Sequence, residues 1–188
     1  IVHAEAISFM HLGAYCCTRA LYRMLLGDRD GAARDIEMAE RVGIPSEMQV
    51  AMNHPLGVAM YDWERDPRQA TDGLRAWASE HIDGQAATYM LAMELARMAL
   101  RLDDRATLEE AARLVHLHTK YEDIAPQRAR STWVEGLLAA DADVVAGAAA
   151  ELEGFGFRFQ ASDAWADAAL LAARAGIESE AAAHAAGL

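Results

Sequence analysis

The sequence predicts an all-α fold, an α-solenoid of about five antiparallel helical hairpins wound into a right-handed superhelix. Three observations predict it. Alanine dominates, with Leu, Met, Glu and Arg behind it, and these are strong helix formers, while strand-like alternation of β-branched residues is nearly absent. Short polar turns recur along the chain and separate amphipathic stretches. Small residues also return at a near-regular interval, as Ala33, Ala70, Ala111, Ala148 and Ala181, with successive steps of 37, 41, 37 and 33. A period in that range with two helices per unit marks an α-solenoid, and the small residues let neighbouring helices approach closely.

The elements follow in order as a single domain over 1–188, with hairpins at about 1–43, 46–81, 84–119, 126–154 and 161–188. The turns inside them are Gly27-Asp28-Arg29-Asp30, Glu64-Arg65-Asp66-Pro67, Leu102-Asp103-Asp104-Arg105, Ala140-Asp141-Ala142-Asp143 and Ala175-Gly176. Each of the first four offers an Asp to cap the next helix. Asp66-Pro67 is the clearest, with Asp at the cap and Pro at the first helical position. Ser46 with Gln49, and Thr107 with Glu110, have the spacing of capping boxes. After each turn one face is apolar: Ala32, Ile36 and Ala39; Ala70, Leu74 and Trp77; Leu108, Ala111, Ala112 and Val115; Val145, Ala148, Ala149 and Leu152. Leu137-Leu138-Ala139 returns as Leu170-Leu171-Ala172, a step of 33, and at the same step Val144 meets Ile177 and Gly154 meets Gly187.

One stretch, "ELEGFGFRFQ" at 151–160, resembles an RNA-binding signature in four letters, Gly154-Phe155-Gly156-Phe157. That signature belongs on a strand whose aromatic residues stack on bases. Here it follows one helix and precedes another that holds Trp165, Ala168, Ala169 and Ala172. Glu153, Arg158 and Gln160 also stand where the signature needs a basic residue, Val and an aromatic. The stretch therefore reads as a helix stop, with Gly154 or Gly156 in the left-handed conformation. Phe155, Phe157 and Phe159 are expected to close the gap between two units.

Charge narrows the function. The net charge is −12, with 53% hydrophobic residues, so the surface repels phosphate backbones and nucleic-acid binding through this segment is not expected. Arg128 with Arg130 is the most basic hint. Lys120 is the only lysine, and no glycine-rich phosphate loop is present. The most apolar run, "ISFMHLGAYCC", is about 11 residues long, too short to cross a bilayer, and no signal peptide is evident. Cys16 and Cys17 are adjacent, point about 100° apart on a helix and read as small buried residues in a reducing cytoplasm. The chain opens on Ile1 rather than Met, so it reads as a fragment of a longer protein.

Catalytic and metal-binding constellations are not evident, and neither an enzyme activity nor a cofactor is expected. Glu-x-x-His and HExxH are absent, and His116 and His118 point to different helix faces. His118 with Glu122, and Glu180 with His184, have the spacing of surface pairs, while Cys16 with His3 or His11 lacks an orienting third group. Asp103-Asp104 and Asp141 with Asp143 are explained by capping. What remains is surface. Tyr22, Arg23, Tyr61, Trp63, Arg97, Arg101 and Trp133 fall on the first helices of the hairpins, where they line either a concave groove or the packing between units.

The period, the hairpins and the small-residue pattern resemble tetratricopeptide (TPR) repeats. Leu56-Gly57 followed by Tyr61 is similar to that family's Leu-Gly-x-x-Tyr, one residue longer, so the units are TPR-like. A narrower resemblance covers about 55 residues, from Trp133 to the end. Segments 136–143, 149–156 and 161–176 look like the helical-repeat region of large ATP-binding LuxR-type (MalT-like) bacterial transcriptional regulators. In that family an ATPase module precedes the repeats and a DNA-binding helix-turn-helix follows them. The resemblance implies a non-catalytic sensing or interaction region whose partner is a protein, a peptide or a small-molecule inducer. DNA contact would come only through a module outside this segment. A free-standing TPR-like peptide-binding adaptor is the second reading and a helical-bundle enzyme the third. Self-association through the end hairpins stays open.

Overall fold

The structure is a computed structural model and describes residues 2–44, 52–80, 88–121, 123–177 and 185. The described residues are helical, without a strand. In chain order the helices are α1 (Val2–Leu25), α2 (Arg29–Val42), α3 (Asn53–Asp62), α4 (Pro67–Glu80), α5 (Thr88–Leu102), α6 (Arg105–Tyr121), α7 (Ala125–Ala139), α8 (Ala142–Gly154) and α9 (Arg158–Arg174). The chain divides within α5 into two compact units, residues 1–91 and 92–188.

Aspartates set the rhythm. Asp28, Asp66, Asp104 and Asp141 each accept a hydrogen bond from a backbone N–H in the first turn of the following helix. Their spacing in the sequence is close to even, with steps of 38, 38 and 37. Three of them have a second task. The N–H groups of Asp28, Asp104 and Asp141 donate to Arg23, Ala99 and Gly136 carbonyls at 2.8, 2.9 and 2.9 Å, the longer of the two bonds that end a helix through a left-handed residue. One Asp thus closes a helix with its backbone and opens the next with its side chain, which makes a very short turn possible. The left-handed residue before it is Gly27, Asp103 or Ala140. Gly156, at φ +84°, does the same between α8 and α9, so the aromatic stretch is a helix stop. Thr107 is no cap: α6 starts two residues earlier at Arg105, and the Thr107 hydroxyl instead donates to Asp104 at 2.8 Å. The Ser46 to Gln49 box and the second helix of the hairpin expected at 161–188 lie outside the described residues.

In residues 1–91, α1 packs on α2 and α3, α2 reaches α3, and α3 packs on α4. Cys16 and Cys17 are buried with Ala39 against Met38 and Ile44. Gly57 lets α3 approach α1, its missing Cβ lying 3.7 Å from Leu21 N and 3.8 Å from the Ala20 Cβ. The Asn53 amide donates to Thr18 Oγ1 at 3.0 Å. Arg29 ties α2 to the end of α3, donating to the Tyr61 carbonyl at 2.6 Å and pairing with Glu64 at 2.9 Å.

In residues 92–188, α7 packs on α6, α8 and α9, and α8 packs on α9. Gly136 brings α7 against α8: a Cβ there would meet Val145 Cγ2 at 2.7 Å and Val145 N at 3.0 Å. The Arg105 guanidinium donates to the Leu138 carbonyl, and Thr119 shares a hydrogen bond at 2.7 Å with Ser131, buried within α7. Most buried positions of α7 return on α9. Five of the eight, Gln127, Arg130, Trp133, Val134 and Leu137, are matched at a step of 34 by the buried Ala161, Ala164, Asp167, Ala168 and Leu171, while Ala129, Ser131 and Gly136 fall on the partly exposed Asp163, Trp165 and Leu170. The letter match at 33 is thus one place out of step with burial, because repeated Ala and Leu letters align at several offsets whereas a helix has one inward face. Phe155 and Phe159 do not fill a gap between units. They are 46% and 83% exposed, since both lie within the turn and first turn of α9, ahead of its first buried position. Phe157 is exposed as well, at 39%, with the Arg130 guanidinium 4.8 Å from its ring centre.

Candidate functional site

Two arginines four residues apart on a first helix grip one buried aspartate, and both units show this among the described residues. In residues 1–91 the acid is Asp35 of α2, 3% exposed. Arg19 holds it with two hydrogen bonds, Nε at 2.7 Å and NH2 at 2.5 Å. Arg23 adds an ion pair at 3.4 Å and reaches Asp28 at 3.6 Å. Tyr15 lies against the other side of the Arg19 guanidinium, 4.9 Å from ring centre to carbon.

In residues 92–188 the acid is Asp167 of α9, fully buried. Arg97 Nε lies 3.4 Å and Arg101 NH2 3.1 Å from its two oxygens. The Trp133 indole N–H of α7 faces the same carboxylate. Arg97 also reaches Glu94 and Asp163, each at 2.9 Å. Arg101 NH1 donates to the Arg97 carbonyl at 3.0 Å. Five charges, two positive and three negative, therefore meet where α5, α7 and α9 converge. Burial pushes the Asp167 carboxyl above the ordinary carboxylate range, with Arg97 and then Arg101 pulling it back. Burial likewise pushes Asp163 up to about 6, against the pull of Arg97. Further along α9, Arg174 bonds the Leu100 carbonyl at 3.0 Å and Asp103 at 2.8 Å. The order of these contacts makes α5 and α9 run parallel.

No protein family, curated protein or solved structure matches the chain. The geometry is therefore the ground for what the site does.

Of the seven residues singled out in the sequence, the structure brings together Arg97, Arg101 and Trp133. Trp133 is 1% exposed and Arg97 nearly so buried, with only 14% of its side chain accessible. These two belong to the packing between first helices. Arg23 is engaged with Asp28 and Asp35. Tyr61 is half-buried beneath the Arg29 guanidinium, 5.2 Å away, and Trp63 is half-buried at the C-terminal cap of α3. Tyr22 alone of the seven stands largely in solvent, 60% exposed. Sequence reasoning missed the acids Asp35, Glu94, Asp163 and Asp167. A signal existed for two of them: Asp35 sits on the stripe of Ala32 and Ala39, and Asp167 on that of Ala164 and Leu171. An acid on an apolar stripe demands a cationic partner.

Among the described residues no three His, Cys, Asp or Glu side chains are arranged to hold a metal ion. His116 lies 3.7 Å from Glu135, and His118 is buried. Glu122, Glu180 and His184 lie outside the described residues, as do the side chains of His3 and His11. No described helix is long and apolar enough to cross a membrane. Chemically the clusters join helices by charge. Their arginines are occupied.

Proposed function

We propose that the chain is a non-catalytic, TPR-like helical-repeat module, a right-handed α-solenoid that binds a protein, peptide or small-molecule inducer. Its setting is a bacterial LuxR-type transcriptional regulator, where ligand binding shifts hairpin packing and so biases neighbouring modules. The observation that carries this reading is that five of the eight buried positions of α7 return on α9 at a step of 34, the TPR period. The evenly spaced aspartate caps support it, as does the packing of α1 on both α2 and α3. Residues 133–188 add the resemblance to the regulators' repeats.

Arginine and acid ties, within a hairpin between α1 and α2 and between the first helices α5 and α9, suit such a device. They are strong only at one relative placement, so a ligand that repacks a hairpin must exchange them, which favours two discrete states over gradual bending. The test is to express the whole reading frame encoding this chain and assay ATP hydrolysis, DNA binding and thermal shift against peptide and small-effector panels. The reading expects ATP and DNA binding from the flanking modules and a ligand-dependent rise in melting temperature from this one. A reading frame with neither flanking activity, and with peptides alone raising the melting temperature, would replace the regulator by the free-standing adaptor. Turnover of a substrate by residues 1–188 alone would overturn both.

A further inference from the structure

The outward face of α1 carries a stripe with the spacing of a coiled-coil seam. Leu12, Tyr15, Arg19, Tyr22 and Leu26 follow one another at alternating steps of three and four. Leu26 lies just past the helix end but continues its path, its N–H donating to the Tyr22 carbonyl at 3.0 Å. Leu12, Tyr15, Tyr22 and Leu26 are 36, 58, 60 and 83% exposed, with Leu25 beside them at 55%. The opposite face of the same helix, with Ala14, Cys16, Cys17 and Ala20, is the buried one. Among the described residues α1 is thus apolar on both sides, with Ala14, Cys16, Cys17 and Ala20 covered and Tyr15, Tyr22, Leu25 and Leu26 exposed.

Three features say what covers the exposed side. The stripe is palindromic: Leu-Tyr-Arg-Tyr-Leu reads the same in both directions about Arg19, and a two-fold contact needs a surface that complements itself. The stripe is also free of carboxylates. From Ala6 to Gly27 there is neither Asp nor Glu, in a chain of 29 acids and net charge −12, so carboxylate repulsion between two copies is locally absent along this stretch. Arg19 at the centre is no bare charge, being held by Asp35 and faced by Tyr15. The exposed area adds up to roughly 600 Å² per copy, taking about 200 Å² for a whole Tyr. Two copies would bury about 1,200 Å², the lower bound for a specific interface.

We propose that α1 is a self-association surface on which a second copy of this chain docks antiparallel, through a two-fold axis at Arg19. Leu12 then meets Leu26 of the second copy, and Tyr15 meets Tyr22. Antiparallel helix dipoles favour this direction. The inference stands apart from the regulator reading, since it needs only the α1 face.

Sedimentation velocity of the whole chain from about 1 to about 200 μM should show a monomer–dimer equilibrium with a dissociation constant on the order of 10 μM. The association should tighten as salt screens the −12 charges of each copy. Tyr22→Glu and Leu26→Glu, both at exposed positions, should weaken it at least about tenfold with the helical circular-dichroism signal retained. Phe159→Glu, exposed elsewhere, should leave it unchanged. Under mild oxidation, chains carrying Leu12→Cys mixed with chains carrying Leu26→Cys should give a disulfide-linked heterodimer, as facing positions allow. A chain that stays monomeric at about 200 μM, or a dimer that the stripe substitutions leave intact, would overturn the proposal. Cross-linking of the Leu26→Cys chain to itself in preference to the mixture would overturn the antiparallel register.

Discussion

Arg97→Met tests whether the arginine and acid cluster holds residues 92–188 together. Methionine keeps much of the stem volume and removes the charge. Asp167 then stays fully buried with Arg101 as its one remaining cation, at 3.1 Å. Removing one partner of a buried pair costs about 3–5 kcal/mol, because the other charge is left without compensation. Arg101 is itself 32% accessible and remains in place, so the lower end applies, about 3 kcal/mol. In urea this lowers the midpoint by roughly 1–2 M at unchanged slope. The deficit must also depend on pH. Burial already raises the Asp167 carboxyl, and Arg97 is the largest of the charges that lower it. Without Arg97 the folded-state value rises further above the unfolded one. Such a group favours folding at low pH and loses that contribution as pH rises through its folded value. The gap between Arg97→Met and the parent should therefore be smaller at pH 5 than at pH 8, and adding Asp167→Asn should close most of it. Urea titrations followed by circular dichroism at both pH values measure this. A single variant within about 1 kcal/mol of the parent at pH 8, or a deficit flat in pH, would refute the argument.

Asp163 gives a second pH signature. Its carboxyl is raised from 3.8 to about 6, so its contribution favours folding below about pH 4 and fades as pH rises through 6. It is 44% accessible, so the swing stays under about 1 kcal/mol, and Asp163→Asn should flatten this part of the stability–pH curve. Gly136→Ala should destabilise by about 1–3 kcal/mol through the clash with Val145, read as a drop in thermal midpoint. Ala140→Gly should instead stabilise by about 1 kcal/mol, since Ala140 holds φ +54° at the α7–α8 turn. The two cysteines are buried and Cys17 is pushed up to about 11 by burial. A thiol reagent at pH 8 should therefore label native protein no faster than the protein unfolds, and rapid labelling of folded protein would contradict the burial of that α1 face.

The helices and their ends were legible because they depend on neighbours in the chain. Asp66-Pro67 names its own turn, and so does Asp28 after Gly27. The faces of α2, α4, α6 and α8 followed from spacing alone, because a residue three or four places on lies on the same side of a helix whatever surrounds it. Thr107 failed because Asp104 already caps the helix one turn earlier and takes the Thr107 N–H, which leaves Thr107 inside the helix. The letter step of 33 and the burial step of 34 differ by one because alanine letters align at several offsets.

The sequence by itself therefore determined the helical class, the turns and the inward stripe of most helices, since each is a local matter of backbone hydrogen bonds and side-chain period. It also carried the Leu-Tyr-Arg-Tyr-Leu spacing of α1. Only the tertiary structure decided which side of α1 is covered, and that Asp35 and Asp167 are each gripped by two arginines. Arg97 and Asp167 are far apart in sequence and meet only when α5 and α9 are packed. Charge pairing of that kind depends on distance in space, about which linear spacing carries no information.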